Sequence, residues 1–342
     1  MENDAEPVEV EQSGEGQGLA LAQPYAAGDR SPVLFAEEVA AARGYAEAAR
    51  APATRRAYAS DWARFAAWCA ERGARPLGCG PELVAVFLAH EAAAGCAPST
   101  VGRRLAAIGA HHLDAGLTAP QERQGAAAIR RVVAGIRRSH GTAPVRKAAA
   151  DADHLRDMLR AISGADLRSL RDRALLAIGM AGALRRSELV ALDLADVTLV
   201  PGGLELLIRR SKTDQEGAGV RIAIPEGRRI RPKALLLEWI AAAGIAEGPL
   251  FLSLSAKGRV LGTRMSDKGV ARVVKARARA AGLDPAQFSA HSLRAGFITE
   301  AARQGASVFK IREVSRHRSV QVLADYVREA ELLRDHAGER FL

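Results

Sequence analysis

Through most of the chain apolar residues recur at intervals of three and four, the spacing that gives a helix one buried face. On this ground residues 33–140 are predicted to be almost wholly helical. Tyr58, Trp62, Phe65, Ala66 and Cys69 mark one helix, with Thr54 as its cap and Gly73 as its stop. Pro81 opens a second, with Leu83, Val84, Phe87 and Leu88 on one face and an end near Gly95. A proline there gives up only an N–H that would have no helical partner. Ser99 or Thr100 starts a third helix, carrying Leu105, Ile108 and Leu113 and ending near Gly116. Pro120 opens a fourth, which runs to His140-Gly141.

The pattern then lapses. No apolar period crosses residues 141–150 (GTAPVRKAAA), and Pro144 disfavours helix in the residue before it, so this stretch reads as an interdomain linker. Asp151 caps a new helix and begins a second domain, 151–342. Two strands are predicted there, Leu204 to Arg210 and Val220 to Ile224, separated by a polar, glycine-bearing turn over 211–219. Helices resume over 231–243, 266–281, 291–304, 307–315 and 319–327. The predicted fold class is mainly α with a small β-hairpin, and the second domain is of α+β type.

Composition adds limits. The 342 residues have room for two cores, and a 48% hydrophobic content calls for packed ones. The first 20 residues carry six acids and no Lys or Arg, so residues 1–32 are expected to form a disordered acidic tail. Cys69, Cys79 and Cys96 form neither a CxxC nor a Cys/His metal spacing, and reduced thiols are expected. No apolar run approaches the roughly 20 residues that span a bilayer, and the N-terminus lacks the basic and apolar regions of a signal peptide. The expectation is a soluble cytoplasmic protein without a membrane partner.

Charge points to a partner. The formal net charge is +10, which suits a polyanion, nucleic acid being the commonest. From Ala97 to Ala150 nine Lys or Arg face two acids, too few to balance an ordinary solvated surface. Arg103, Arg104, Arg137, Arg138, Arg146 and Lys147 are therefore candidate DNA-phosphate contacts.

Exchange of a phosphodiester without a metal needs a nucleophile, cations around the non-bridging oxygens and a proton donor for the departing oxygen. Arginine suits the cation role, because its planar fork donates two parallel hydrogen bonds and stays charged. The second domain holds such a set in four pieces. Gly182-Ala183-Leu184-Arg185-Arg186-Ser187-Glu188-Leu189 puts Arg185 and Glu188 three apart, on one side of a helical turn. Lys212 lies in the hairpin turn. His291-Ser292-Leu293-Arg294 is again an i, i+3 pair. His317 precedes Tyr326 by nine residues. Each piece has an ordinary reading when taken singly: a surface ion pair, a solvated lysine, a chance His-x-x-Arg, a core tyrosine. The chain has no G-x-x-x-x-G-K-[ST] loop and no Asp/Glu cluster with metal spacing, so no nucleotide or metal cofactor is expected.

In order, the four pieces resemble the catalytic boxes of the tyrosine recombinases, or phage integrases. Leu189-Val190-Ala191-Leu192 after the first arginine, Ser211-Lys212-Thr213-Asp214, and His291-Ser292-Leu293-Arg294-Ala295-Gly296 are similar to that family's segments. The resemblance implies a two-domain C-shaped clamp on double-stranded DNA, with residues 33–140 as a helical core-binding domain and 151–342 as the catalytic domain. It implies Tyr326 as nucleophile and Arg185, Arg294 and His317 as stabilisers of the phosphoryl oxygens. Lys212 would be the donor to the leaving oxygen, His291 a phosphate ligand that assists Tyr326, and Glu188 an accessory acid. A homotetramer on two DNA sites, monomeric or dimeric off DNA, would follow, with the helix after Tyr326 docking on a neighbour. Integration, excision and dimer resolution all remain open, and so do a type IB topoisomerase-like relaxing enzyme and a non-catalytic DNA-binding relative. Two positions depart from the family pattern: Ala183 and Arg316 stand where glycine is usual. Both lie at the periphery of the expected site, and both residue types resist φ > 0.

Overall fold

The computed structural model describes residues 36–141, 147–209, 219–317 and 319–330. The chain divides into two compact units, split between Pro144 and Val145. The predicted acidic tail, Lys212 and Arg146 lie outside the described residues.

The first unit is helical: α1 (Ala36–Ala48), α2 (Pro52–Ala70), α3 (Pro81–Ala93), α4 (Pro98–Asp114), a short 3-10 turn (Pro120–Glu122) and α5 (Ala127–His140). Proline occupies the first turn of α2, α3 and α4. The predicted helix starts at Thr54 and Ser99 thus fall inside helices that proline opens two residues or one residue earlier. The predicted fourth helix is broken, because Gly125 takes φ +88° between the 3-10 turn and α5. Phe65, Trp68, Val84, Phe87, Leu88, Ile108 and Ile129 fill one core. Near it sit buried charges that need partners. Asp61 accepts from Arg103 at 2.7 and 3.0 Å, and Glu91 pairs with Arg64 and Arg104.

The second unit begins with α6 (Ala152–Arg160), α7 (Leu167–Ala181) and α8 (Arg186–Ala191). Asp151 does cap α6, its Oδ1 accepting from the His154 N–H. An antiparallel sheet follows, of β1 (Val197–Val200), β2 (Gly203–Ile208) and β3 (Val220–Pro225). Leu204 pairs with Ile224 and Leu206 with Ile222, so one face of the sheet is a continuous apolar surface on the core. The chain continues through α9 (Pro232–Ala243), β4 (Leu252–Leu254), β5 (Val260–Arg264), α10 (Asp267–Ala280), α11 (His291–Arg303), α12 (Val308–Ser315) and α13 (Val320–Ala330). The short strands β1, β4 and β5 escape sequence reading, since three to five residues carry too little alternation to register a period.

Two sets of contacts hold helices around the site. Asp172 in α7 is buried between Arg171 and Arg277, which ties α7 to α10. Residues 147–150, expected as linker, lie against the start of α11: the Ala150 N–H donates to the Ser292 carbonyl at 2.9 Å, and Ala148 donates to Gln287. Gly296 allows that approach, because a Cβ there would fall 1.8 Å from the Ala150 carbonyl oxygen.

Candidate active site

Four segments supply the site. The turn between α7 and α8 comes first. Ala183, fully buried, takes φ +45°, a left-handed conformation that points its carbonyl toward α11. Arg185 follows in extended conformation and caps α8. Its own N–H donates to Glu188 Oε2 at 2.9 Å, and its Nη1 donates to Oε1 at 2.5 Å. The i, i+3 pair seen in sequence therefore exists, and it is no surface pair: the Glu188 side chain is 1% exposed.

The first turn of α11 supplies His291 and Arg294. His291 is exposed at the helix start, whereas Arg294 is buried. Arg294 Nη1 donates to the Ala183 carbonyl at 2.7 Å, and its Nη2 donates to the His317 ring, 3.1 Å from Nδ1. Ser307 caps α12, its Oγ accepting from the Lys310 N–H. The helix ends at Arg316, which turns left-handed at φ +57° and aims His317 inward. Ser315 Oγ, fully buried, lies 2.9 Å from His317 Nδ1. An arginine only donates, so the His317 ring accepts from Arg294, whose Nη2 lies 3.1 Å from Nδ1 and 3.4 Å from Nε2. On α13, Tyr326 packs with Leu323 against the Ile298–Ile311 cluster, and its hydroxyl reaches His291 Nε2 at 3.5 Å.

Arg316 is the residue that sequence reading left at the periphery and that the structure moves to the centre. Its Nη2 donates to Glu188 Oε2 at 2.8 Å, and its Nη1 donates to the Gly182 and Val314 carbonyls. Arg185 Nη2 returns the contact, donating to the Arg316 carbonyl at 3.4 Å. The available signal was its place beside His317 in the box where the family has glycine. Ser315 carried no signal at all.

The electrostatics follow from this crowding. Burial by itself would raise the Glu188 pKa, but Arg316, the Arg185 N–H and the Arg185 guanidinium outweigh it and hold the carboxyl below its usual range. Burial, then Arg185, pushes the Arg294 guanidinium down to about 9, so it stays charged at neutral pH. His317 is driven down to about 3, by burial first and then by Arg294, Arg185, His291 and Arg316. His291, crowded by protein on one side, is lowered by desolvation and by the same two arginines. Both imidazoles are neutral at pH 7. Three guanidinium groups, from Arg185, Arg294 and Arg316, thus stand around the carboxylate of Glu188, which among the described residues leaves an excess of two positive charges in a partly dry place. Beside it opens a cleft of about 290 Å³, lined by Arg185, Arg186, Ser187, Ser289 and His291 among others. Such a site favours a bound anion with oxygens to receive several donors.

The structure brings six of the seven expected catalytic residues together: Arg185, Glu188, His291, Arg294, His317 and Tyr326. Lys212 falls outside the described residues, in the connection between β2 and β3. The candidate phosphate contacts are more scattered. Arg103 is held by Asp61, and the Arg104 side chain, 15% exposed, is held by Glu91. These two serve the interior of the first unit, a use their adjacency in sequence could not reveal. Arg137 and Arg138 are exposed in the last turn of α5. Lys147 Nζ donates to the Ala286 carbonyl at 2.8 Å.

Comparison with known proteins agrees with this geometry. The profile of the phage integrase family matches residues 150–332. An integrase/recombinase xerD homolog of Selenomonas ruminantium is 34% identical over 296 residues, 86% of each chain. Tyrosine recombinase XerC of Mycobacterium sp. (strain KMS) is 31% identical and covers 79% of this chain and 86% of its own. Among solved structures, the XerH site-specific recombinase in a post-cleavage complex with a palindromic difH substrate has a TM-score of 0.55 at 17% identity, covering 75% of this chain and 70% of its own. A lambda integrase dimer bound to a COC′ core site has a TM-score of 0.53 at 18% identity, covering 86% and 93%. The alternative of a DNA-relaxing enzyme is not favoured by relatives named as recombinases. The chain belongs to the phage integrase family and is a tyrosine recombinase.

Proposed function

We propose that this recombinase cuts and rejoins double-stranded DNA at a specific site, with Tyr326 as the nucleophile. Tyr326 Oη attacks the scissile phosphorus. The P–Oη bond forms and the bond to the 5′ oxygen breaks, leaving a 3′-phosphotyrosyl link and a free 5′-hydroxyl. A phenol loses its proton only near pH ~10, so attack at neutral pH calls for a base. His291 fills that role, being neutral and 3.5 Å from the hydroxyl. Arg185, Arg294 and His317 stabilise the charge that builds on the phosphoryl oxygens. Lys212 protonates the departing 5′ oxygen, a role that suits the ammonium of a long lysine side chain. The phosphotyrosyl link conserves the energy of the broken bond, so a 5′-hydroxyl from a partner duplex reseals the strand without a nucleotide cofactor.

One observation carries the reading: among the described residues, three guanidinium groups stand around the Glu188 carboxylate, beside a tyrosine hydroxyl and a neutral imidazole. We further propose that residues 33–140 clamp DNA through the exposed Arg137 and Arg138, and that four protomers assemble on two duplexes in the cytoplasm. Among the described residues no helix is long and apolar enough to cross a membrane. The test uses a duplex selected from a random pool for binding and nicked close to the cleavage point, so that the freed 5′ fragment diffuses away. The wild type is expected to accumulate a covalent DNA adduct, and Tyr326→Phe to bind the same duplex without forming it. An adduct on the Phe variant would refute the assignment.

A further inference from the structure

We propose that Arg316 is a positioning residue, which registers the turn carrying His317 against the turn carrying Arg185 and so sets the distance between two ligands of the phosphate. The inference rests on the reading of the site given above.

The geometry is that of a clasp closed from both sides. The Arg316 side chain, 6% exposed, crosses from the end of α12 to the α7–α8 turn. There it meets Glu188 Oε2 and the carbonyls of Gly182 and Ala183. The Arg185 side chain crosses the other way to the Arg316 carbonyl. Because Glu188 also holds Arg185 by its N–H and Nη1, one carboxylate fixes both arginines. The Ala183 carbonyl receives Arg294 as well as Arg316, so α11 is drawn into the same joint. A planar fork with five donors can meet this spread of acceptors, and an ammonium cannot.

The backbone gives a second argument. At φ +57° a residue with a Cβ is strained, and glycine would sit there at ease. The chain holds an arginine at this position and keeps its fork buried, with Nε lacking a hydrogen-bond partner among the described residues. A side chain that brings backbone strain and an unmet donor must return something through its other contacts, and those contacts all end on the Arg185–Glu188 turn or on its own.

Arg316 also adds charge beside His317. The groups facing that ring are Arg294 and His291 of α11, Arg185 of the α7–α8 turn and Arg316 itself, and all four disfavour its protonation. Removing Arg316 therefore eases protonation of His317. Arg316→Lys keeps the charge and loses the fork.

The two variants separate position from charge. With the nicked duplex at saturation, Arg316→Gly is expected to lower the rate of adduct formation about 10- to 100-fold, as for reacting groups displaced by a fraction of an ångström or more. The half-saturating DNA concentration should change little. Arg316→Lys is expected to lower the rate similarly, because an ammonium keeps the charge and cannot span the same acceptors. The His317 ring titration, followed by proton NMR without DNA, should move up in Arg316→Gly alone. A glycine variant that cleaves at the wild-type rate with an unmoved His317 titration would overturn the proposal. So would loss of folding in both variants, since that would make Arg316 a general support of the unit. A wild type that forms no adduct would refute the recombinase reading instead, and the NMR titration would still decide the role of Arg316.

Discussion

Arg294 Nη1 donates to the main-chain carbonyl of Ala183 at 2.7 Å, a bond between residues 111 positions apart. The carbonyl is available because Ala183 turns left-handed at φ +45°. Ala183→Gly relieves that strain and removes one buried methyl, two effects of about 1 kcal/mol each and of opposite sign. Its stability should stay within about 1 kcal/mol of the wild type. Ala183→Val places a branched side chain at positive φ in a fully buried position and should cost at least about 2 kcal/mol. Urea unfolding of the two variants checks both values.

Glu188 is buried with two guanidinium groups on its carboxylate. Removing one member of a buried ionic cluster leaves the rest uncompensated and typically costs about 3–5 kcal/mol. Glu188→Ala should therefore melt well below the wild type, and high concentrations of phosphate or sulfate should restore part of the loss. Calorimetry with and without the anion tests this. A variant as stable as the wild type would contradict the charge arrangement described above.

His112 gives a pH dependence that belongs to the first unit alone. Its ring is fully buried, with Nδ1 2.8 Å from the Ile108 carbonyl and Nε2 accepting from the Gly78 N–H at 3.1 Å. Burial lowers its pKa from 6.5, against the pull of the Ile108 carbonyl. Above pH 6.5 the ring is neutral in both folded and unfolded chains, and stability is full. As pH falls, the unfolded chain binds a proton that the folded one refuses, so stability declines until the folded-state pKa is passed. His112→Gln should be less stable at pH 7.5 and should lose less between pH 7 and pH 5. Unfolding curves over that range check the slope.

Arg103 and Arg137 were alike in sequence and differ in structure. Arg137→Ala with Arg138→Ala should weaken DNA binding and flatten the plot of log K against log salt by about 0.9 for each phosphate no longer neutralised. Arg103→Ala should leave that slope unchanged and instead lower stability, because Asp61 is buried and loses its bidentate partner. Binding isotherms at several salt concentrations distinguish the two.

The comparison of Arg103 with Arg137 also shows where sequence stops being legible. Long helices were readable because apolar spacing and the proline at Pro81 act locally, whereas Pro120 opens only a 3-10 turn. The candidate set could be picked out because the boxes it resembles keep their order along the chain, and the fold brings six of its seven members into one place. Pairings across distance were not readable: nothing local says that Asp61 waits for Arg103, or that Ala150 lies against Gly296. Arg316 is the clearest instance. Its sequence neighbourhood marked it as a departure in backbone geometry, and only the folded arrangement shows where its side chain goes.

The central claim is that Tyr326 forms the covalent link to DNA, and it can be tested at the level of the atom bonded. Adduct from the nicked duplex would be digested with nuclease and protease, and the peptide carrying the residual nucleotide sequenced by mass spectrometry. The account predicts a single modified peptide spanning residues 319–328, with the nucleotide 3′-phosphate on the Tyr326 oxygen. A nucleotide on any other side chain, or a 5′-phosphate linkage, would contradict it.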